Sequence, residues 1–163
     1  MFKYFPTNYV WNLSVDLAIE MGARIGEIEA MCAPLQEAAK KPDAEGTQAF
    51  RDTWAKMADQ LCELAEEDEA SGLLLSAGEN YSRAASYLIT CERLQAHNAP
   101  GRLALYQRML NLFDRGVRLA GENCERVEIP YEGTHLSGLL VQAESTSGPA
   151  PLFVQVNGLD STK

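Results

Sequence analysis

Pro151 to Lys163 reads PLFVQVNGLDSTK. Leu152, Phe153, Val154 and Val156 make a β-branched and aromatic run that stops at Asn157-Gly158, the pattern of a buried strand ending in a sharp turn. In α/β proteins ligands collect at the carboxyl ends of strands, where such a turn can present backbone N–H donors. On that reading the sequence ends as a substrate site begins, and the upstream residues prepare a sheet.

The residues before this stretch agree with a sheet. From Cys124 the apolar period is 2, with Val127, Ile129 and Tyr131 alternating with Arg126 and Glu128. Glu132-Gly133-Thr134 makes a turn and Leu136 to Ala143 a second strand, so the two form a hairpin. Glu144 to Ala150, rich in Ser, Gly and Pro, is a surface loop leading to the third strand, Leu152 to Val156.

Upstream of Cys124 the period is near 3.6. Residues 9 to 21 place Val10, Leu13, Leu17 and Met21 on one side, with Asn8 as N-cap and Gly22 as the stop. Ile25 to Met31 is a short helical turn, continued by a second piece through Lys40 after Pro34. Between Ala44 and Ser71, Phe50, Trp54, Met57, Leu61 and Leu64 form an apolar stripe. Its acidic end, Glu66-Glu67-Asp68-Glu69, opposes the helix macrodipole and calls for fraying or a basic partner. Ser76 and Glu79 have capping-box spacing, which starts a helix at about Ala77 carrying Tyr81, Ala84, Ala85, Leu88 and Ile89. After the turn His97 to Gly101, Arg102 to Ala120 is the last helix, with Leu103, Tyr106, Leu110, Phe113 and Val117 on one face and Gly121 as its cap. The fold class is therefore α+β, with a helical domain over 1–122 and the opening strands over 123–163.

Composition narrows the functional classes. The chain has 163 residues, 46% of them hydrophobic, and a net charge of −9, so it can bury a core and lacks the basic surface that phosphate binding needs. No nucleic-acid partner is expected. No stretch has the length of a membrane span, and the start MFKYFPTNY lacks a signal-peptide core. No membrane partner and a cytoplasmic location are expected. Cys32, Cys62, Cys91 and Cys124 lie about thirty residues apart, without metal-ligand spacing, and read as reduced, mostly buried small hydrophobes with no metal and no cofactor.

Several segments together resemble one branch of the α/β-hydrolase superfamily. They are Trp11-Asn12-Leu13-Ser14, Glu20-Met21-Gly22 and Gly26-Glu27-Ile28 near the start, and Ser76 to Tyr81 with Arg83-Ala84-Ala85 and Tyr87 in the fourth helix. Asn157 to Lys163 closes the set. That branch carries a helical domain ahead of its core and includes 2,6-dihydroxypseudooxynicotine hydrolase and fungal pigment-pathway hydrolases that shorten polyketides. The resemblance implies an N-terminal helical cap domain, covering the active site, followed by the first three strands of an incomplete α/β-hydrolase fold. It also implies a Ser nucleophile, a His base and an acidic orienter, with two backbone N–H groups holding the oxyanion. By position Gly158 and Leu159 are the oxyanion candidates, while Trp11, Asn12, Asn80, Tyr81 and Tyr87 are candidates for the pocket walls. The substrate would be a small molecule carrying an ester or a carbon–carbon bond beside a ketone, and a homodimer is among the expected assemblies.

The sequence contains no G-x-S-x-G, and His97 and His135 fall in a turn and a hairpin. The triad is therefore expected downstream, with no catalytic residue in this chain and no activity from it alone. In the family's sheet the third strand lies between the fourth and fifth, so here its edges would be open. The segment after Ser145 is then expected to be poorly ordered or recruited by another molecule. The competing reading is a non-catalytic tetratricopeptide-like module built on the helix pair Ala77 to Ala96 and Arg102 to Ala120, against which stand the single pair and the hairpin.

Overall fold

The computed structural model describes residues 3–41, 43–143 and 148–156, in two units, Met1–Gly121 and Glu122–Lys163. The first is helical. Its α1, Tyr9–Glu20, starts at Asn8, whose side chain accepts the Trp11 N–H at 3.0 Å and satisfies one of the donors that a helix start leaves open. Its end is a Schellman motif. The Gly22 N–H bonds the Ile19 carbonyl and the Ala23 N–H the Ala18 carbonyl, with Gly22 at φ +91°, where glycine avoids the Cβ penalty. Helix α2, Ile25–Cys32, runs into two 3-10 turns, Ala33–Leu35 and Ala38–Lys40. The long α3, Asp43–Ala70, then α4, Leu74–Arg93, and α5, Arg102–Ala120, complete the unit.

Helix α4 lies between α3 and α5 and packs along both. The connection from α3 to α4 is only residues 71–73, so the chain reverses at once, as short helix–helix links require. The reversal is again a Schellman motif. The Leu73 N–H bonds the Asp68 carbonyl at 2.8 Å and the Gly72 N–H the Glu69 carbonyl at 3.0 Å, with Gly72 at φ +77°. This motif delivers the chain into helix at Leu74, three residues before the sequence expectation. Ser76 and Glu79 consequently do not form a capping box. Ser76 Oγ donates to Asp68 at 2.6 Å and Glu79 pairs with Arg24 at 3.6 Å.

The core is drawn from all five helices, from Phe5 and Trp11 to Met109. Phe50, Trp54 and Leu61 of the α3 stripe are inside, as the spacing predicts, whereas Leu64 is half exposed. On α1 the expected stripe is not the buried one. Val10 and Met21 are 52% and 40% exposed, and the inward positions are Trp11, Asn12, Val15 and Ala18. Turning the indole of Trp11 inward buries more apolar area than any aliphatic side chain of the stripe could. Asn12 can follow because its amide is fully bonded inside. The acidic end of α3 meets the basic partner it called for, with Glu69 paired to Arg115 of α5 at 2.6 Å.

The second unit holds an antiparallel hairpin, β1 Cys124–Tyr131 and β2 Thr134–Val141, in the register Val127↔Gly138, Ile129↔Leu136 and Tyr131↔Thr134. Its two-residue turn has Glu132 at φ +43° and Gly133 at φ +79°. Two left-handed residues in succession match the twist of the flanking strands and draw Thr134 into β2. The expected third strand is not formed among the described residues. The sheet has two strands, residues 151–156 carry no strand pairing, and Leu152, Phe153, Val154 and Val156 are 75–92% exposed. Apolar composition favours a strand only where a neighbour takes up its backbone groups, and nothing in the described residues does so. Residues 157–163 lie outside the described residues.

The α4–α5 crossing is set by backbone contact. A Cβ on Gly78 would lie 2.6 Å from the Ala120 nitrogen and 2.8 Å from the Gly116 oxygen. One on Gly116 would lie 2.9 Å from both the Gly78 oxygen and the Ser82 nitrogen. Backbone cannot yield as a flexible side chain can, so Gly116→Ala is expected to destabilise the chain by about 1–3 kcal/mol through overpacking, outweighing roughly 0.5–1 kcal/mol of helix propensity gained. Gly26→Ala in α2, where nothing stands within 4 Å, is the control and should hold or raise the urea midpoint. Equal midpoints for the two variants would refute the close crossing.

Candidate functional site

Trp11, Asn12 and Tyr87 come together around a line of rings. Phe5 meets Trp11 edge-on at 5.1 Å and Trp11 lies 4.7 Å from Phe50. Phe50 stacks on Trp54 at 5.0 Å, and Trp54 meets Tyr87 edge-on at 5.5 Å. Such pairs each add about 0.5–1.5 kcal/mol beyond burial. The line joins the N-terminal segment to α1, α3 and α4. Asn12 anchors its first ring, since its side chain accepts the Phe5 N–H at 2.8 Å and donates to the Phe5 carbonyl. That two-way bond explains why an asparagine is tolerated inside.

Tyr87 ends the ring line in a polar cluster. Its hydroxyl donates to the Glu27 carboxylate of α2 and accepts the Arg24 N–H at 3.4 Å. Glu27 also pairs with Arg83 of α4 at 3.3 Å, and both side chains are mostly buried. Arg83 donates to Asn80 Oδ1 at 2.5 Å, and Asn80 donates to Asp68 of α3 at 3.0 Å. Asp68 also accepts from Ser76. Positions 80, 83 and 87 fall on one stripe of α4, so a single helix face carries the polar chain from α2 to the end of α3. The cluster positions groups. Burial, then the Glu27 hydrogen bond, push the Tyr87 phenol far above its usual range, which keeps it a donor and excludes it as a base near neutrality.

Tyr81 stands apart from these residues, in a smaller cluster with Ala65 and Ala77. Arg115 lies 4.4 Å over its ring and its hydroxyl reaches Glu69 at 3.4 Å. Of the five pocket candidates, Trp11, Asn12, Tyr81 and Tyr87 are buried and only Asn80 is half-buried. The oxyanion candidates Gly158 and Leu159 lie outside the described residues. Sequence reading missed the roles of Glu27, Arg83 and Asp68, although Glu27 and Arg83 sit in segments that carry the family resemblance. No local signal marks them, since Asp68 lies within an acidic run and Arg83 has Glu79, Asn80 and Ser86 at helical spacing around it.

The thiols of Cys32 and Cys91 are buried and held up at about 12, chiefly by burial. With the Tyr87 phenol they share one sign of linkage. A group whose folded value is raised contributes stability below its unfolded value, and that contribution is lost as pH climbs through the folded one. The unfolding midpoint should therefore fall steadily above the reference values of 9.0 for thiols and 10.0 for the phenol. Tyr87→Phe should cost about 1–3 kcal/mol near neutrality, because Glu27 loses a buried donor, and should show a shallower fall above pH 10 than the parent. An unchanged slope would contradict the buried, neutral phenol.

No protein-family model matches the chain. Among curated proteins, it is 29% identical over 146 residues to the alpha/beta hydrolase gkaG of Penicillium citrinum, a match covering 87% of this chain and 33% of that protein. It is 30% identical over 172 aligned positions to the hydrolase LUC6 of a Fusarium species, covering all of this chain and 39% of that protein. The chain thus spans between a third and two-fifths of the length of these relatives. A helical unit leading into an antiparallel strand pair is thus similar, over 87–100% of the chain, to part of two curated hydrolases, one of them named an alpha/beta hydrolase.

Proposed function

We propose that this chain is the N-terminal part of a serine-type α/β hydrolase, in which the helical unit caps the active-site mouth and the residues from Cys124 onward open the catalytic core. The observation that carries this reading is the similarity of 87–100% of the chain to hydrolases of which it spans only 33–39%. The Ser, His and acidic residue would stand downstream. The reaction would begin with serine attack on a carbonyl, of an ester or of a ketone beside the carbon–carbon bond to be cut. The His base takes the serine proton and returns it to the leaving group. Charge develops on the carbonyl oxygen at the attack itself, where the N–H groups of Gly158 and Leu159 would stabilise it, and water, activated by the same His, then releases the acyl group from the serine.

In this reading the cap excludes water and shapes specificity. Asn80, half-buried within the polar chain between Arg83 and Asp68, is the pocket candidate best able to touch a substrate. Trp11, Asn12, Tyr81 and Tyr87 would shape the wall from behind by fixing α1 and α4. No cofactor is required, because the triad supplies nucleophile and proton transfer. A small molecule is the partner, and the enzyme acts as a monomer or a homodimer.

The reading frame beyond Lys163 should encode a G-x-S-x-G after an apolar run within about a hundred residues, and later an Asp and a His. In that longer product Leu159→Pro removes one oxyanion donor and should lower kcat by at least about 10²-fold while KM changes little. A stop codon directly after Lys163 with a stable, soluble product would instead favour the tetratricopeptide-like interaction module.

A further inference from the structure

Helix α1 is apolar on two sides. Trp11, Val15 and Ala18 face the core, while Val10, Leu13, Leu17 and Met21 recur at three- and four-residue steps along a second side. Val10 and Met21 are 52% and 40% exposed, and Leu13 and Leu17 are half-buried. Among the described residues, Ile19 of the same helix packs against the core, but Leu13 and Leu17 do not join it. The outer sides of the long helices differ, since α3 exposes Asp52, Lys56 and Glu63 and α5 exposes Gln107, Asn111 and Arg118. A surface helix carries one apolar stripe, turned to its core, and apolar residues on a second side mark a helix that lies inside a larger body.

Charge and length limit what can cover the stripe. Asp16 and Glu20 run along its outer flank, and neither makes an ion pair among the described residues. A second copy of α1 would bring the same acidic flank against its own, in a chain of net charge −9. An anionic lipid surface would be repelled in the same way. The chain spans only 33–39% of the hydrolases it is similar to, so the hydrolase reading supplies a larger body in the same protein.

We propose that the part of the protein beyond Lys163 docks on the stripe of Val10, Leu13, Leu17 and Met21 and encloses α1 between itself and the helical core. Its docking surface is an apolar patch bordered by Lys or Arg, which meet Asp16 and Glu20. Covering four apolar side chains removes their surface from water, which favours the docking. Because both surfaces belong to one chain, the docking does not depend on protein concentration. This inference rests on the hydrolase reading and goes beyond it by assigning which side of the helical unit turns toward the catalytic part.

Oxidation by dilute hydrogen peroxide, followed by mass spectrometry on the product translated through Lys163, tests this at one side chain. Met21 should react as slowly as Met31 and Met109, which are 0% and 5% exposed, at every protein concentration. Leu17→Asp puts a charge into the stripe and should speed Met21 oxidation by at least about tenfold while Met31 and Met109 stay protected. Fast oxidation of Met21 in the parent, or protection that survives Leu17→Asp, would overturn the proposal. So would protection lost on dilution, which would mean that a second copy covers the stripe. Release of all three methionines by Leu17→Asp would also overturn it, by placing Leu17 in the core. Fluorophosphonate labelling of the same product tells the two failures apart. A labelled serine with Met21 open removes only the docking face, whereas a folded product without label, or a stop codon after Lys163, removes the hydrolase reading and the occupant with it.

Discussion

The Tyr87 phenol is where the packing of the helical unit and its polar bonding meet. Its ring ends the line that begins at Phe5 and passes through Trp11, Phe50 and Trp54, and its hydroxyl bonds the Glu27 carboxylate. Helix α4 thereby holds α1 and α3 through rings, α2 through Glu27 and Arg83, and α5 through the backbone approach at Gly78 and Gly116. A buried ion pair is costly to desolvate and adds little net stability, but removing one partner leaves an uncompensated charge that costs about 3–5 kcal/mol. The pair therefore acts mainly on specificity. In the observed arrangement α2 brings Glu27 to both Arg83 and Tyr87.

What the sequence made legible follows from which signals are local. Helix α5 and its Gly121 cap, the start of α1 at Asn8, and the hairpin around Glu132-Gly133 depend on residues a few positions apart, and their chemistry decides them. The face of α1 depends on what the rest of the unit offers, and the Trp11 side won over the regular aliphatic stripe. The start of α4 depended on the preceding helix, because the Schellman motif at Gly72 left no room for the capping box at Ser76. The strand expected at Leu152 needed a partner strand that composition alone does not supply.

The candidate site was legible in a similarly divided way. The resemblance singled out Trp11, Asn12, Asn80, Tyr81 and Tyr87, and the structure gives each a partner inside the helical unit, with Tyr81 in a cluster of its own. The charges that bind the elements together, Glu27, Arg83 and Asp68, are separated by up to 56 positions in the sequence, so no local pattern announces them. On the proposed reading, helices tied together in this way would shape a pocket rather than carry the chemistry, and the reacting groups would belong to residues beyond Lys163.

Covalent labelling with a fluorophosphonate, which captures an activated serine, tests the hydrolase account most directly. The product read through the sequence after Lys163 should be labelled on one serine beyond that residue, in a G-x-S-x-G, and residues 1–163 alone should remain unlabelled. Labelling of a serine within 1–163, or a longer product that is folded yet takes no label, would contradict it.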